Sequence, residues 1–432
     1  MNDLLKYIVK ENNIFTHYKD SIAMKRYYKN KEIDSKTEIV TADIGKINHY
    51  GYIRSAAKDL KTFRFSNDKE GFDLLWSKVE KFKKSNNLED IVFGFESTGS
   101  YGEPLKLYMQ QKGVILIQVN PMHTKRLKEL SDNSPNKTDK KDPRVIADIL
   151  MLGHGLTTII PEKKIADLRE LAQSRESRLE DINRVKNRIE ALLAKHFPEF
   201  LLIMGLNTKT SMYLLKHYPT ARAIGKQRIN KLAWKVYKVS RSQIKYSKVV
   251  KLDQAAINSV GVKEGQHAYR AEIRRQLEQV ELLEHQLGEI EKQITAVVEQ
   301  MPEGRILRSV KGIGVITAAY LLSEVVDFKA YSVQKEIEKL AGLNLYEISS
   351  GKHKGQRRIS KRGRALIRKV LYMVVLNMVK KSGIYYEDYQ SYLKRGLKKI
   401  EALVIIMKRL LRTVYALVRK NEMFKEGYKI AA

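Results

Sequence analysis

The stretch Thr37-Glu38-Ile39-Val40-Thr41-Ala42-Asp43-Ile44-Gly45-Lys46 decides how the first part of the chain is read. Its β-branched residues fit a strand that ends on an acid, and Gly45 just beyond it permits close approach of backbone or ligand. Tyr50-Gly51-Tyr52-Ile53 and Thr62-Phe63-Arg64-Phe65 read as two further strands joined by short turns. Phe72, Leu75, Val79 and Phe82 then recur at helical spacing within 70–84, and Ile91 to Phe95 is an apolar strand. A helix around Leu105 to Gln111 and a strand from Val114 to Val119 continue the alternation. Such alternation predicts an α/β layer with some parallel pairing.

The chain around this layer has 432 residues, room for two or three domains with ordinary cores. Eighty-one Lys and Arg against 49 Asp and Glu leave a net charge of +32, spread along the sequence, and a polyanionic partner is the first inference. With 43% apolar residues and 23 Tyr the chain is expected to fold rather than remain disordered. The absence of cysteine excludes disulfides, thiolate zinc sites, iron–sulfur clusters and Cys nucleophiles. Met1 to Lys10 carries no secretory pattern, and the longest apolar runs, such as Phe200 to Met204, fall far short of the roughly 18 residues that span a bilayer. The expectation is a cytoplasmic protein with no membrane partner.

Beyond Asp142 the pattern turns helical. Leu168, Leu171, Arg175, Leu179, Ile182, Val185, Ile189 and Leu192 recur at steps of three or four, as do Ile273, Leu277, Val280, Leu283, Leu287, Ile290, Ile294 and Val297. These are two long amphipathic helices, suited to an antiparallel pair within the chain or to a coiled coil between subunits. The expected division is an extension at 1–36, an α/β domain at 37–160, a helical region at 161–300 with an insertion at 200–262, and a compact, mostly helical unit at 301–432. The tyrosines are scattered and read as core or interface residues.

Four acids stand at strand ends or helix starts: Asp43, Glu96, Asp139 and Asp142. Glu96 closes the strand from Ile91 and enters Ser97-Thr98-Gly99-Ser100-Tyr101, so its carboxylate belongs at the sheet edge where ligands of open α/β sheets gather. Asp139 and Asp142, three apart, share a helical face if the helix begins near Asp139. Taken singly, Asp142 before Pro143 also reads as a helix cap, Asp139 as a loop residue and Glu96 as a surface acid. Together the four have the composition of a phosphoryl-transfer site, because Mg2+ prefers carboxylate oxygens.

Two basic segments complete the list of candidates. Lys311-Gly312-Ile313-Gly314 precedes an apolar helix; its glycines can present N–H groups to a phosphate, or form an ordinary helix–helix turn. From Gly351 to Lys369 there are nine Lys or Arg and no acid, which marks a nucleic-acid patch carried by Lys352, Lys354, Arg357, Arg358, Lys361, Arg362 and Arg364. A serine in this frame has a sharper role open to it, because nearby cations position a phosphodiester and stabilise the charge of its transition state. Ser350 is the first candidate and Ser349 the next, with capping of a turn as the plain alternative.

The combined pattern resembles the insertion-sequence-110 family of transposases, relatives of the Piv DNA invertases, from about residue 37 to 425. Asp43 to Lys46 (Asp-x-Gly-Lys), Glu96 to Tyr101 (Glu-Ser-Thr-Gly-x-Tyr), Asn120-Pro121 and Lys137 to Asp142 (Lys-Thr-Asp-x-x-Asp) are similar to its RuvC-like half. Gly312 to Gly314, Ala341-Gly342-Leu343, Ser350-Gly351 and Ile359 to Gly363 (Ile-Ser-Lys-x-Gly) are similar to its C-terminal half. The resemblance implies an RNase-H/RuvC-like α/β domain holding Mg2+ through Asp43, Glu96, Asp139 and Asp142, a helical coiled-coil middle, and a mostly α transposase domain in which Ser350 forms a covalent phosphoserine. It also implies a homo-oligomer, dimer or tetramer, in which a noncoding bridge RNA pairs with target and donor DNA. The first 36 residues and the 200–262 insertion depart from the shorter family pattern. A RuvC-like resolving nuclease using metal-activated water is the alternative. A nonenzymatic architectural protein would explain the charge but not the ordered acids.

Overall fold

The computed structural model describes residues 33–96, 99–132, 142–153, 155–346 and 358–425. They fall into two compact units, one formed by the chain up to Ala166 together with Glu324 onward, the other by Asp167–Ser323.

The first unit opens with strands β1 (Thr37–Asp43), β2 (Asn48–Arg54) and β3 (Phe63–Ser66), helix α1 (Lys69–Ser85) and strand β4 (Asp90–Glu96). Helix α2 (Glu103–Gln111), strand β5 (Ile115–Val119), helices α3 (Pro121–Asp132) and α4 (Asp142–Met151) and strand β6 (Leu156–Thr157) follow. The sheet order is β3-β2-β1-β4-β5-β6; β1, β4 and β5 run parallel, and β2, β3 and β6 pair antiparallel to their neighbours. The alternation of strands and helices therefore gives the mixed α/β sheet expected of it. Helix α3 is an addition, absent from the sequence pattern.

β1 is buried along almost its whole length because both of its faces are covered. Val40 and Ala42 point with Phe93 and Phe95 into a layer closed by Phe72, Leu75, Val79 and Phe82 of α1 and by Leu105 and Met109 of α2. Ile39 and Val92 point the other way, with Ile117 and Val119, against Val145, Ile146, Ile149 and Leu150 of α4. α4 lies so close to the sheet that a Cβ on Gly94 would sit 2.4 Å from the Leu150 side chain. Arg54 of β2 pairs with Asp148 of α4 at 2.5 Å and fixes the helix along the sheet.

The second unit contains two 34-residue helices, α5 (Lys163–His196) and α11 (Gln266–Glu299). Arg175 bonds Glu291 and Lys186 reaches Glu284, while Val262 just before α11 donates to the Lys195 carbonyl at the far end of α5. The helices thus pair antiparallel within one chain. Between them lie α6 (Pro198–Ile203), α7 (Lys209–His217), α8 (Ala221–Gly225), α9 (Ile229–Val239) and α10 (Tyr246–Ile257), which share the core of Ile189, Leu193, Ile273 and Leu277. The sequence region 200–262 is therefore a small helical domain built onto the hairpin. The unit closes with α12 (Pro302–Ser309) and most of α13 (Val315–Val325).

The later part of the first unit comprises α14 (Gln334–Leu340), the two-stranded pair β7 (Leu345–Tyr346) and β8 (Arg358–Ile359), α15 (Ala365–Met378), α16 (Tyr386–Lys394) and α17 (Lys399–Lys420). α17 buries Leu403, Ile406, Met407, Leu410, Leu411, Val414, Leu417 and Val418, a stripe at steps of three and four, as an amphipathic helix must.

Glu38 on β1 is an exception to the apolar layer. It is fully buried, its carboxylate oxygens have no hydrogen-bond partner among the described residues, and burial pushes its pKa up to about 8 against the weaker pull of Lys83. Because the folded-state value lies above the ordinary carboxylate value, the stability tied to this group is complete below pH 4.5 and is lost as pH rises towards 8. Glu38→Gln is therefore expected to melt higher than the parent at pH 9 and to lose most of that advantage at pH 5; thermal melts at the two values check this, and an equal shift at both contradicts it.

Candidate active site

The parallel register of β1 and β4 runs from Thr37 opposite Asp90 to Ala42 opposite Phe95. Asp43 and Glu96, the last residues of these strands, continue it by one step, so their backbones stand about 4.8 Å apart, the spacing of neighbouring strands. Alternation puts Asp43 on the face of Ile39 and Thr41, and Glu96 on the face of Val92 and Gly94. Both faces are the one that α4 covers. Thr41 donates from Oγ1 to the Pro143 carbonyl at 2.6 Å, which ties the start of α4 to the end of β1. Asp142 precedes that proline as the first residue of α4 and is 6% exposed. Three of the four predicted acids thus belong to one end and one face of the sheet, its carboxyl edge. Asp139 lies outside the described residues, and α4 begins at Asp142, so a shared helical face for the two is not part of the described fold.

Asp142 does more than start a helix. Its Oδ1 receives Lys128 of α3 at 2.5 Å, a cation that the sequence pattern did not single out. α3 begins at Pro121, where Asn120 Oδ1 accepts from the Met122 N–H at 2.9 Å, so the Asn-Pro motif starts the helix that brings Lys128 to the acid. The Gly45 requirement is also physical: a Cβ there would lie 2.3 Å from the Asn48 carbonyl oxygen. His49 is buried beside Phe65 and Phe72, and its Nδ1 accepts from the Gly45 N–H at 3.2 Å, which pins the turn leaving Asp43. Burial holds this imidazole below its ordinary pKa, as an accepting nitrogen needs.

Carboxylates from two adjacent strand ends and a helix start are hard oxygen donors of the kind divalent cations prefer. Among the described residues, no three His, Asp or Glu side chains stand together at metal-binding distance. Asp43 and Glu96 share the strand ends, and Asp142 at the start of α4 is paired with Lys128.

Of the basic candidates, Lys311 and Gly312 lie in the turn between α12 and α13, with Gly312 at φ +102, and Gly314 stands at the start of α13. A Cβ on Gly314 would meet nothing within 4 Å, so no internal contact demands glycine there. Ser349, Ser350, Lys352, Lys354 and Arg357 lie outside the described residues, between β7 and β8. The two strands bracket them: Leu345 pairs with Ile359 and Tyr346 with Arg358.

At the foot of this hairpin the backbone crosses itself. Lys361 N–H donates to the Gly342 carbonyl at 3.0 Å, Ser360 N–H to Asn344 O at 2.7 Å and Arg364 N–H to Leu340 O at 2.7 Å. A Cβ on Gly363 would sit 2.3 Å from the Leu340 oxygen, and Gly342 holds φ +66. Ala341-Gly342-Leu343 and Ile359 to Gly363 are therefore two halves of one clasp. Arg364 donates to the Glu324 carbonyl and lies 3.8 Å from its carboxylate, and Arg368 donates to the Ala341 carbonyl at 2.9 Å. These two guanidiniums brace the clasp, whereas Arg358, Lys361 and Arg362 at its edge are exposed.

A mixed α/β sheet with Asp43 and Glu96 at its carboxyl edge is the architecture expected of a DNA transposase of the DEDD type, and the family matches show that class. Residues 40–198 match the family profile of the DEDD transposase of IS110, and residues 304–390 match the profile described as "Transposase IS116/IS110/IS902 family". The chain is 21% identical over 402 residues to an insertion element IS110 protein of Streptomyces coelicolor, an alignment covering 90% of this chain and 97% of that one. It is 22% identical over 402 residues to an insertion element IS900 protein of Mycobacterium paratuberculosis, covering 90% and 98%. An insertion element IS116 protein of Streptomyces clavuligerus is 23% identical over 293 residues, covering 67% and 72%. The chain belongs to the IS110 family of transposases. The DEDD match carries with it a dependence on a divalent metal. No helix among the described residues is long and apolar enough to cross a membrane.

If the clasp depends on close backbone approach, Gly363→Ala must force two backbones apart. The expected cost is about 2–4 kcal/mol of stability, seen as a lower denaturation midpoint, since Ala meets both the clash and a φ of +150. Gly113→Ala also places an alanine at positive φ but has open space around it, so it isolates the backbone term; an equal loss in both variants would contradict the clasp.

Proposed function

We propose that this transposase is an RNA-guided DNA recombinase in which Ser350 attacks a phosphodiester and the acids of the sheet edge hold Mg2+. The observation that supports the reading is the clasp: Gly342, Gly363 and the Arg364–Glu324 pair hold together the described residues on either side of Ser350 and the start of the basic run that follows it in sequence.

In the proposed reaction the Ser350 hydroxyl oxygen bonds to phosphorus and one phosphorus–oxygen bond of the strand breaks. The serine hydroxyl proton passes to a base, and the departing strand oxygen takes up a proton to become a free hydroxyl. Attack of a strand hydroxyl on the phosphoserine reverses these steps and regenerates the serine, so rejoining needs no outside energy source. Asp43, Glu96, Asp139 and Asp142 are the proposed metal ligands; the metal, when bound, stabilises the charge that develops on the phosphoryl oxygens. Lys128 balances the Asp142 charge and keeps that carboxylate in place. Lys311, Gly312 and Gly314, with Arg358, Lys361 and Arg362, are proposed to hold DNA backbone; the open space around Gly314 and the exposure of Lys311 support this.

Sequence choice is assigned to a noncoding bridge RNA that pairs with target and donor DNA, while the protein reads backbone and shape. The charge of +32 supports two nucleic acids on one chain. The proposed division of labour is metal chemistry in 37–160, assembly through the helical region 161–300, which includes any coiled coil between subunits of a dimer or tetramer, and nucleophile chemistry in 301–432.

A denaturing gel of labelled element-end DNA mixed with protein and guide RNA tests the reading. The parent chain is expected to give a protein-linked band, and Ser350→Ala to lose both the band and cleavage while binding DNA within about twofold. Asp43→Asn and Glu96→Gln are expected to lower the linked product at least 100-fold. Free cut ends accumulating without any linked band, in the parent and in Ser350→Ala alike, would instead establish hydrolysis by a RuvC-like nuclease.

A further inference from the structure

We infer that the small helical domain between α5 and α11 carries a platform for unpaired nucleotides, with Trp234, Tyr237 and Tyr246 as its stacking surfaces. From Lys226 to Leu252 the sequence holds nine Lys or Arg and no acid. The sequence pattern alone places the tyrosines in cores or interfaces, yet these three rings are out in solvent: Trp234 is 57% exposed, Tyr237 54% and Tyr246 53%.

The arrangement follows from the periodicity of α9. Its inner face, Leu232, Ala233 and Val236, is buried in the core of the second unit. At 100° per residue, Asn230, Trp234, Tyr237 and Lys238 then share the opposite face. Lys238 Nζ lies 3.8 Å from the centre of the Trp234 ring. Arg241 follows, exposed, in the turn that Ser242 N–H closes on the Tyr237 carbonyl at 2.9 Å. Tyr246, the first residue of α10, donates its hydroxyl to Asn230 Oδ1 at 2.9 Å, so the third ring is fastened to the foot of the same stripe. Lys235 points elsewhere and donates to the Tyr218 hydroxyl at 2.8 Å, which shows that one cation of the run serves the fold and not the stripe.

The occupant is identified by what the stripe combines. A protein partner would select against lysine in its contact core, and a duplex backbone needs cations but has no use for three exposed rings. Unpaired nucleotides use both, since bases stack on aromatic faces while cations hold the intervening phosphates. Such nucleotides come from single-stranded RNA or single-stranded DNA. The inference is independent of the serine chemistry, because a Ser350→Ala chain keeps the platform intact.

The test is fluorescence anisotropy with the full-length chain at one ionic strength, using a labelled oligouridine, an oligothymidine of equal length and a DNA duplex. Trp234→Ala is expected to weaken both unpaired probes about 5- to 150-fold, the worth of one stacked base, and to change duplex binding less than twofold. Trp234→Phe should restore most of the loss. Lys238→Ala should weaken all three probes and lower the salt slope by about one. Tighter binding of oligouridine assigns the platform to RNA, and tighter binding of oligothymidine to DNA. Equal loss on all probes in Trp234→Ala, or no loss on any, overturns the proposal. So does loss of self-association by sedimentation with oligonucleotide binding unchanged, which would give the stripe to a second copy of the chain.

Discussion

The pairing of β1 with β4 is the interaction on which the proposed chemistry depends. Six residue pairs in parallel register, from Thr37–Asp90 to Ala42–Phe95, determine that Asp43 and Glu96 emerge side by side and on one face. A slip of one residue would send Glu96 to the opposite face, among the aromatic residues of α1 and α2. Burial of both faces makes that slip costly, because every apolar residue of β4 would change sides. The same core positions the third acid. Gly94 lets α4 approach the sheet, Arg54 holds Asp148, and Thr41 fixes the Pro143 carbonyl, so Asp142 is placed by packing before any charge interaction is counted.

The serine segment is framed by a different device. β7 and β8 are two residues each, Leu345 and Tyr346 are exposed, and backbone-to-backbone contact at Gly342 and Gly363 holds the chain at their foot. Glycine motifs at such a crossing serve shape: they let two chain segments touch where any side chain would hold them apart. Arg364 and Arg368 then use cations of the basic run to cap carbonyls of the clasp. A basic run in sequence is thus divided between structure and surface, and only the folded chain shows where the division falls.

Much of the first unit was legible because its strands are β-branched or aromatic runs and its helix α1 has an apolar stripe. Ile39 to Ala42 and Ile91 to Phe95 are short apolar runs rich in β-branched and aromatic residues, Phe72 to Phe82 recurs at steps of three and four, and each became the element so predicted. α3 was not legible: with Lys125, Arg126, Lys128 and Glu129 among few apolar residues, Pro121 to Asp132 has no strong stripe, and Lys128 was lost with it. Strand order was equally hidden, since long-range pairing leaves no local signature. The edge acids could be chosen because strand ends can be read, whereas their common face depends on a register that only the sheet displays. The tyrosines were read as core or interface residues; Tyr237, with Trp234, falls on the outer face of α9 because Leu232, Ala233 and Val236 take the inner one.

The central claim is that Asp43 and Glu96, brought together by strand pairing, form a divalent-cation site. Titration of the full-length chain with Mn2+, followed by the paramagnetic signal of the free ion, tests it most directly. Saturable binding is predicted for the parent chain, weakened at least tenfold in Asp43→Asn and in Glu96→Gln, with Glu38→Gln on the same strand as an unaffected control. Binding of unchanged strength in both edge variants would contradict the account.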